Sequence, residues 1–252
     1  MDNLITYDYE KITPSSLSSN LILILGRAND KIKRVDLGIK SMKYILKEIV
    51  DCEMKIISNT RGIKKLKQLI NRLNLENNVK FTGFTKTPEK FFNNASLHIF
   101  PSISEAFPMA LCETKIYGIP SIITGIDYIS ISEGGVINVY DDKPETIARE
   151  AIKILKNTFY KKKLGKQARR SMRKFNNKLI VDKWIKLIVS VYKGGNYYQE
   201  LINEEQRKYN DIKYINQFKR NLKLLKKRKP IMKKISLKNI LNFDFMKNFS
   251  FF

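Results

Sequence analysis

Two glutamates eight positions apart, Glu105 and Glu113, are the residues of this sequence best suited to holding a polar ligand. The apolar run 97–100 before them is typical of a buried strand, Pro108 suits the first turn of a helix, and Gly118 suits a helix end. The turn between strand and helix therefore lies at the carboxyl end of a strand, where open α/β sheets bind ligands. Two carboxylates placed this way can hold two hydroxyl-bearing parts of one ligand. Glutamates near a helix start also simply complement the helix dipole, so the pair alone leaves both interpretations open.

A loop earlier in the chain carries residues suited to an anion. Gly26 ends an apolar run, and Arg27 and Lys33 follow within one polar loop. A glycine lets the backbone approach a ligand closely, arginine binds phosphate through two parallel hydrogen bonds, and lysine adds a compact positive charge. The set suits a diphosphate, and the alternative is a solvated surface loop. Neither G-x-G-x-x-G nor G-x-x-x-x-G-K occurs, so the loop is not a dinucleotide-binding fingerprint or a Walker loop.

The elements that must position these residues alternate along the chain. Short apolar runs predict strands at 21–25, 54–58, 79–83, 97–100, 121–124 and 136–139. Apolar residues at spacings of three and four predict helices at 35–49, 63–73, 87–94, 108–117, 143–156, 159–175 and 178–192. This alternation indicates right-handed crossovers and a parallel sheet covered on both faces. We therefore expect an α/β fold with a single doubly wound, Rossmann-like domain, residues 1–193.

The remainder of the chain differs in composition. Gly194-Gly-Asn196 marks a break, after which 197–229 reads as a long polar helix and 230–252 as a basic tail. Residues 1–160 hold 22 Lys and Arg against 18 Asp and Glu, whereas residues 161–252 hold 26 against 6. We therefore expect residues 194–252 to form a basic helical extension to an ordinary globular domain.

Composition also excludes several classes of protein. The two cysteines, Cys52 and Cys112, exclude a disulfide scaffold and fit a reducing cytoplasm. With one histidine as well, the sequence has no ligand cluster of the zinc type. The N-terminus does not resemble a signal peptide, and no apolar run approaches the roughly 18 residues of a membrane-spanning helix. The expected localisation is cytoplasmic.

Taken in order, these parts resemble the C-terminal, donor-binding half of family-4 retaining glycosyltransferases of the GT-B fold. The resemblance covers residues 4–193 and rests on an ordered set of weak motifs. These are Gly26-Arg27 with Lys33-Arg34 as a GR…K loop, Asn78 to Gly83 as N-V-x-F-x-G, Pro101 to Glu105 as P-S-x-x-E, Glu105 and Glu113 as E-x(7)-E, and Gly118-Ile-Pro120 as G-x-P.

The resemblance implies a role for each matching residue. Arg27 and Lys33, beside Gly26, are implied to bind the diphosphate of a UDP- or GDP-sugar and to stabilise charge on it during transfer. Glu105 is implied to contact the donor sugar, and Glu113 the ribose hydroxyls.

The same resemblance assigns backbone donors to the turn after Glu105. The amides of Ala106, Phe107 and Met109 are implied to bind phosphate or sugar oxygens at a helix start. The family usually has Gly-Phe-Gly here, and Pro108 removes one of those N–H donors.

The implied enzyme is a retaining hexosyltransferase that uses a nucleotide sugar as substrate and needs no cofactor or metal, in polysaccharide or glycolipid biosynthesis. Only about 20 residues precede the first strand, whereas the family has an N-terminal acceptor domain. The chain is therefore expected to be a donor half, inactive without an N-terminal partner domain or partner chain.

The residues leave three alternatives to this enzyme open. These are a non-catalytic nucleotide-sugar-binding module, a subunit of a split transferase, and a basic membrane-associated interaction protein. The basic residues from Lys161 onward fit a solvated face or a peripheral contact with an anionic membrane surface. Nucleic acid is the least favoured partner, because no recognised binding motif accompanies the charge.

Overall fold

The computed structural model describes residues 9–105, 107–124, 133–175 and 177–192. Within them lies a six-stranded parallel sheet whose spatial order is β3-β2-β1-β4-β5-β6. The strands are β1 (Leu21–Leu25), β2 (Glu53–Ile57), β3 (Val79–Phe81), β4 (Leu97–Phe100), β5 (Ser121–Ile123) and β6 (Val136–Asn138). The doubly wound, Rossmann-like α/β fold expected from the sequence is confirmed.

Helices connect the strands and cover the sheet. They are α1 (Val35–Ile45), α2 (Lys64–Arg72), α3 (Glu89–Phe92), α4 (Met109–Ile116), α5 (Pro144–Lys156), α6 (Thr158–Ser171) and α7 (Asn177–Tyr192). Short 3-10 turns occur at Tyr9–Lys11, Lys31–Lys33 and Met172–Phe175. In the parts of the chain that the structure describes, none of the helices is long and apolar enough to cross a membrane.

Two predicted helices are shorter than their apolar periodicity indicates. The helix predicted at 35–49 ends at Ile45, and the one predicted at 159–175 ends at Ser171 before a 3-10 turn. Ile49 is still buried, because a turn carries it back to the core and its N–H bonds the Ile45 carbonyl. Spacing of apolar residues therefore marked the buried face correctly but overran the helix ends.

Strand β1 lies at the centre of the sheet and is buried along its whole length. Ile22 and Ile24 face the cluster formed with α1, α2 and α5, while Leu21, Leu23 and Leu25 face the opposite cluster. Because both faces are covered, the strand is apolar at every position instead of alternating.

The strand order places the candidate site. The chain runs from β1 outward to β3 and then returns to β4, which pairs with β1 through Ile22 and Leu23. The order reverses at this point, and ligands of such sheets bind in the crevice beyond the carboxyl ends of the strands that flank it. The loop with Arg27 and Lys33 follows β1, and the turn with Glu105 follows β4. Residues 194–252, predicted as a basic extension, lie outside the described residues.

Candidate functional site

The loop after β1 is held by its own backbone and by β2. Gly26 has φ +132°, which favours glycine, and its N–H bonds the Ile57 carbonyl at the end of β2. The Asp30 carboxylate accepts a hydrogen bond from the Ile32 N–H at 2.9 Å and so caps the 3-10 turn that carries Lys33. Lys33 therefore stands on a short, internally bonded loop.

The residue after Lys33 fixes the start of helix α1. Arg34 is left-handed, with φ 49°, and its guanidinium bonds the Asp142 carboxylate at 2.7 Å. Asp142 is also left-handed, with φ 53°, and it lies in the loop between β6 and α5. This ion pair joins the loop after β1 to the start of α5.

Two contacts connect the loops after β1 and β4. The Ile103 N–H bonds the Ile32 carbonyl at 2.8 Å, and the Lys33 ammonium forms an ion pair with the Glu105 carboxylate. The side chains of Lys33 and Glu105 are only 18% and 13% exposed. Residues separated by 72 positions are thus brought into direct contact.

Arg27 is placed differently from Lys33. Its side chain is 73% exposed and pairs with Asp30 at 3.1 Å. Arg27 can therefore turn toward a ligand with little rearrangement, whereas Lys33 is already engaged across the crevice.

One cavity of about 680 Å³ collects most of the predicted site residues. Its lining includes Gly26, Arg27, Lys33, Glu105, Phe107, Met109 and Glu113. The volume lies within the range of small-molecule sites. Ala106 lies outside the described residues, so its predicted amide contact stays a prediction.

The turn before α4 uses one of its predicted donors internally. The Met109 N–H bonds the Phe107 carbonyl at 2.9 Å, and Pro108 precedes the first residue of the helix. The Phe107 ring packs edge-on against Phe175, at 6.1 Å between centroids. In this structure the Met109 amide is thus engaged within the turn, and its role toward a ligand stays a prediction.

Glu113, on α4, lines the cavity and is partly buried. Burial, and secondarily the negative charge of Glu89, raises the pKa of the Glu113 carboxyl to about 7. Burial is also the main cause that raises the pKa of the Tyr117 hydroxyl, and the negative charges of Glu89 and Glu113 raise it further. A carboxyl that titrates near neutrality inside a cavity is a candidate for ligand contact.

Sequence reasoning missed the part of the cavity that follows β2 and β3. Ser58, Asn59, Phe84, Thr85 and Lys86 line it, and Phe84 is 75% exposed at its rim. The position of these residues could have indicated them, because they follow predicted strands and the carboxyl ends of all parallel strands meet at one edge of the sheet. The Ser58 hydroxyl accepts a hydrogen bond from the Ala28 N–H at 2.8 Å, which joins this region to the loop after β1.

No group of three or more His, Cys, Asp or Glu side chains within the described ranges comes close enough to hold a metal ion. The expectation that the chain needs neither metal nor cofactor stays a prediction.

Comparison with known sequences identifies the class of protein to which this fold and this cavity belong. Residues 8–171 match the sequence model of the family described as glycosyl transferases group 1. The chain belongs to this family, which confirms the glycosyltransferase resemblance at that level.

Individual proteins show the same likeness. The chain is 26% identical over 153 residues to the poly(glycerol-phosphate) alpha-glucosyltransferase of Bacillus subtilis, an alignment that covers 58% of this chain and 22% of that protein. The chain therefore spans about a fifth of that relative's length.

Solved structures share the fold. S. aureus TarM, crystallised with fondaparinux, alpha-GlcNAc-glycerol and UDP, has a TM-score of 0.63 at 22% identity, covering 74% of this chain and 38% of TarM. Anabaena HepE, crystallised with UDP and glucose, has a TM-score of 0.63 at 17% identity, covering 69% of this chain and 50% of HepE.

Proposed function

We propose that residues 1–193 form the nucleotide-sugar donor domain of a retaining glycosyltransferase, equivalent to the C-terminal half of a family-4 GT-B enzyme. The observation that carries the proposal is that the loop after β1 and the Glu105–Glu113 segment line the same cavity. Membership of the glycosyl transferases group 1 family supports it. The UDP in the TarM and HepE crystals supports a UDP-sugar as the first donor to test, with a GDP-sugar as the second.

The cavity allows each residue a distinct role. Arg27 and Lys33 bind the diphosphate, because they are the cations of the loop that reaches the crevice. Glu105 accepts hydrogen bonds from the sugar, and Glu113 accepts them from the ribose. During transfer, Lys33 and Arg27 stabilise the negative charge that grows on the leaving diphosphate, as preorganised charges do in enzyme sites.

The acceptor site is proposed to come from residues outside this chain, either a further domain or a partner chain. The supporting observation is coverage, since the chain aligns with 38% of TarM and 50% of HepE. A phosphate-containing polyol is the first acceptor to test, because the B. subtilis relative is named for poly(glycerol-phosphate). Transfer of labelled sugar to that polymer, with and without a candidate partner chain, tests this part of the proposal.

Calorimetric titration with UDP, GDP and their sugars tests the donor site. Glu113→Ala is expected to weaken nucleotide binding about tenfold, because a hydrogen bond to a charged group is lost. Glu105→Ala is expected to bind UDP at least as tightly as the wild-type chain and to lose the extra affinity that the sugar confers.

Glu48→Ala is the matched control, since Glu48 forms an exposed ion pair with Lys156 and does not line the cavity. Absence of any nucleotide binding by the wild-type chain contradicts the donor-site proposal. Equal and negligible effects of the two cavity variants contradict the assignment of roles.

A second proposal concerns the basic face of α6 and the turn after it. Residues 158–175 contain eight Lys or Arg and no Asp or Glu. Lys162, Lys163, Lys166 and Arg170 are exposed, and Phe159 at the start of the helix is 80% exposed. An aromatic ring beside a cationic stripe suits the interface of an anionic membrane, so we propose peripheral contact there.

Flotation with phosphatidylglycerol-containing vesicles tests the membrane proposal. The double variant Lys162→Glu/Lys166→Glu is expected to lower binding at least about tenfold, since each basic residue near the surface contributes about 1 kcal/mol. The control Lys64→Glu/Lys67→Glu changes the same charge on exposed positions of α2 and is expected to bind as wild type. Loss of flotation in both variants alike, or binding to uncharged vesicles, contradicts a specific α6 contact.

A further inference from the structure

The two cations of the proposed diphosphate site are each paired with a carboxylate. Arg27 pairs with Asp30 at 3.1 Å, and Lys33 pairs with Glu105. The four charges cancel within these two pairs, and Lys86 and Glu113 also line the cavity. Each cation keeps N–H donors beyond the one in its ion pair, so a diphosphate competes with the paired carboxylates for the charge of these cations.

The two pairs differ in strength for a physical reason. Arg27 is 73% exposed, and exposed ion pairs contribute little because water screens them. Lys33 and Glu105 are 18% and 13% exposed, so their pair is screened far less. The Lys33–Glu105 pair is consequently the main competitor of an incoming anion.

Among the residues that the structure describes, Asp30 has a hydrogen-bond partner besides its cation, whereas Glu105 contacts only Lys33. One of the Asp30 carboxylate oxygens accepts the Ile32 N–H at 2.9 Å while the other holds Arg27. Asp30 thus stays in place when Arg27 turns to a ligand. Glu105 stands on a different loop, and its ion pair with Lys33 is its side-chain contact within the described part of the chain.

We propose that Glu105 exchanges between Lys33 and the donor sugar, and that Asp30 and Glu105 together lower the affinity of the site for a diphosphate without a sugar. This inference rests on the proposed diphosphate role of Arg27 and Lys33. Binding of the diphosphate to Lys33 frees the Glu105 carboxylate, which then accepts hydrogen bonds from the sugar. Once the sugar has left, Glu105 returns to Lys33 and favours release of the diphosphate.

Inorganic pyrophosphate is the probe for this exchange, because it presents two linked phosphates and neither sugar nor base. Glu105→Gln is expected to raise pyrophosphate affinity about fivefold by calorimetry, since the competing charge is removed and the side-chain shape is kept. Asp30→Asn keeps an acceptor for the Ile32 N–H and is expected to raise the affinity about twofold, because the Arg27 pair is exposed.

Glu48→Gln is the matched control. This variant removes one negative charge, as Glu105→Gln does, but from a glutamate that pairs with Lys156 at 2.6 Å and does not line the cavity. It is expected to leave pyrophosphate affinity unchanged. Thermal unfolding establishes that the variants are folded, and Glu105→Ala carries the same expectation should Glu105→Gln not fold.

The single substitution Glu105→Gln must also have opposite effects on the binding of two ligands. Glu105→Gln is expected to strengthen pyrophosphate binding while reducing the affinity that the sugar adds to UDP. Unchanged or weaker pyrophosphate binding in Glu105→Gln overturns the exchange, whatever the nucleotides do. Stronger pyrophosphate binding without any nucleotide binding supports the exchange and contradicts the donor function, so the two failures are distinguishable.

Discussion

At the residue scale, Glu113 combines a position in the lining of the cavity with a pKa raised to about 7. The groups that face it from the packed elements include Glu89 on α3 and Tyr117 at the end of α4. In the proposed donor site, the ionised carboxylate is a stronger hydrogen-bond acceptor for the ribose hydroxyls than the neutral carboxyl. Its state is therefore expected to control nucleotide affinity around neutral pH.

Nucleotide affinity is predicted to rise by up to about tenfold between pH 6 and pH 8, following the ionised fraction of a group with pKa about 7. Calorimetry across this range measures the effect. Glu113→Gln is the control, because its profile lacks the titration of Glu113 and keeps those of the nucleotide phosphates and of Lys115, whose pKa burial lowers to about 7. Identical pH profiles for the two proteins contradict the prediction.

The same pKa has a consequence for folding. An unfolded glutamate loses its proton near pH 4.5, whereas folded Glu113 keeps it until about pH 7. Between these values the folded state binds more protons, so the free energy of unfolding falls as pH rises. Glu113→Gln is predicted to be about 1 to 3 kcal/mol more stable than wild type at pH 8 and nearly equal at pH 5, by denaturant unfolding.

At the element scale, α6 packs through a glycine. A Cβ on Gly165 would lie 2.4 Å from the Gly118 carbonyl oxygen, in the turn that ends α4. Gly118 itself is left-handed, with φ +70°, so this turn has little freedom to move. The close approach of α6 to α4 therefore depends on the absence of a side chain at position 165.

Gly165→Ala is predicted to lower the free energy of unfolding by about 2 to 3 kcal/mol, because backbone atoms must move to admit the methyl group. Gly38→Ala in α1 is the matched control. Its Cβ would also meet an atom at 2.4 Å, but that atom is the flexible end of the Ile24 side chain. A loss below about 1 kcal/mol is expected there, since alanine also favours the helix. Equal losses in chemical denaturation contradict the argument.

The elements themselves were largely predictable. The strands and helices of residues 21–192 follow from apolar runs and helical spacing, because these are local properties of the chain. The ends of α1 and α6 were not predictable, since the apolar spacing continues through Ile49 and Phe175 into turns that remain buried. Phe84 was missed because a single exposed aromatic residue in a loop carries no pattern.

At the scale of the whole molecule, the proposed donor cavity and the exposed lysines of α6 involve different residues. None of the described residues that line the cavity belongs to α6, and the charge of residues 161–252 is strongly positive, with 26 Lys and Arg against 6 Asp and Glu. Binding to anionic surfaces by such a face depends on ionic strength, because salt screens exposed charges.

Raising the salt concentration from 0.05 to 0.5 M is therefore predicted to abolish vesicle flotation. The variant Lys162→Glu/Lys166→Glu is predicted to keep wild-type UDP affinity, as measured by calorimetry at one fixed salt concentration. A parallel loss of UDP binding in this variant contradicts the separation of the two surfaces.

The sequence by itself determined the class of fold and selected the candidate site residues, since apolar periodicity and short motifs are properties of neighbouring positions. Tertiary structure decided which of those residues meet. The sheet order puts β1 beside β4, and only this neighbourhood brings Lys33 to Glu105 across 72 positions. It also decided that Glu113 titrates near neutrality, because burial and the charge of Glu89 act through space and leave no trace in local sequence.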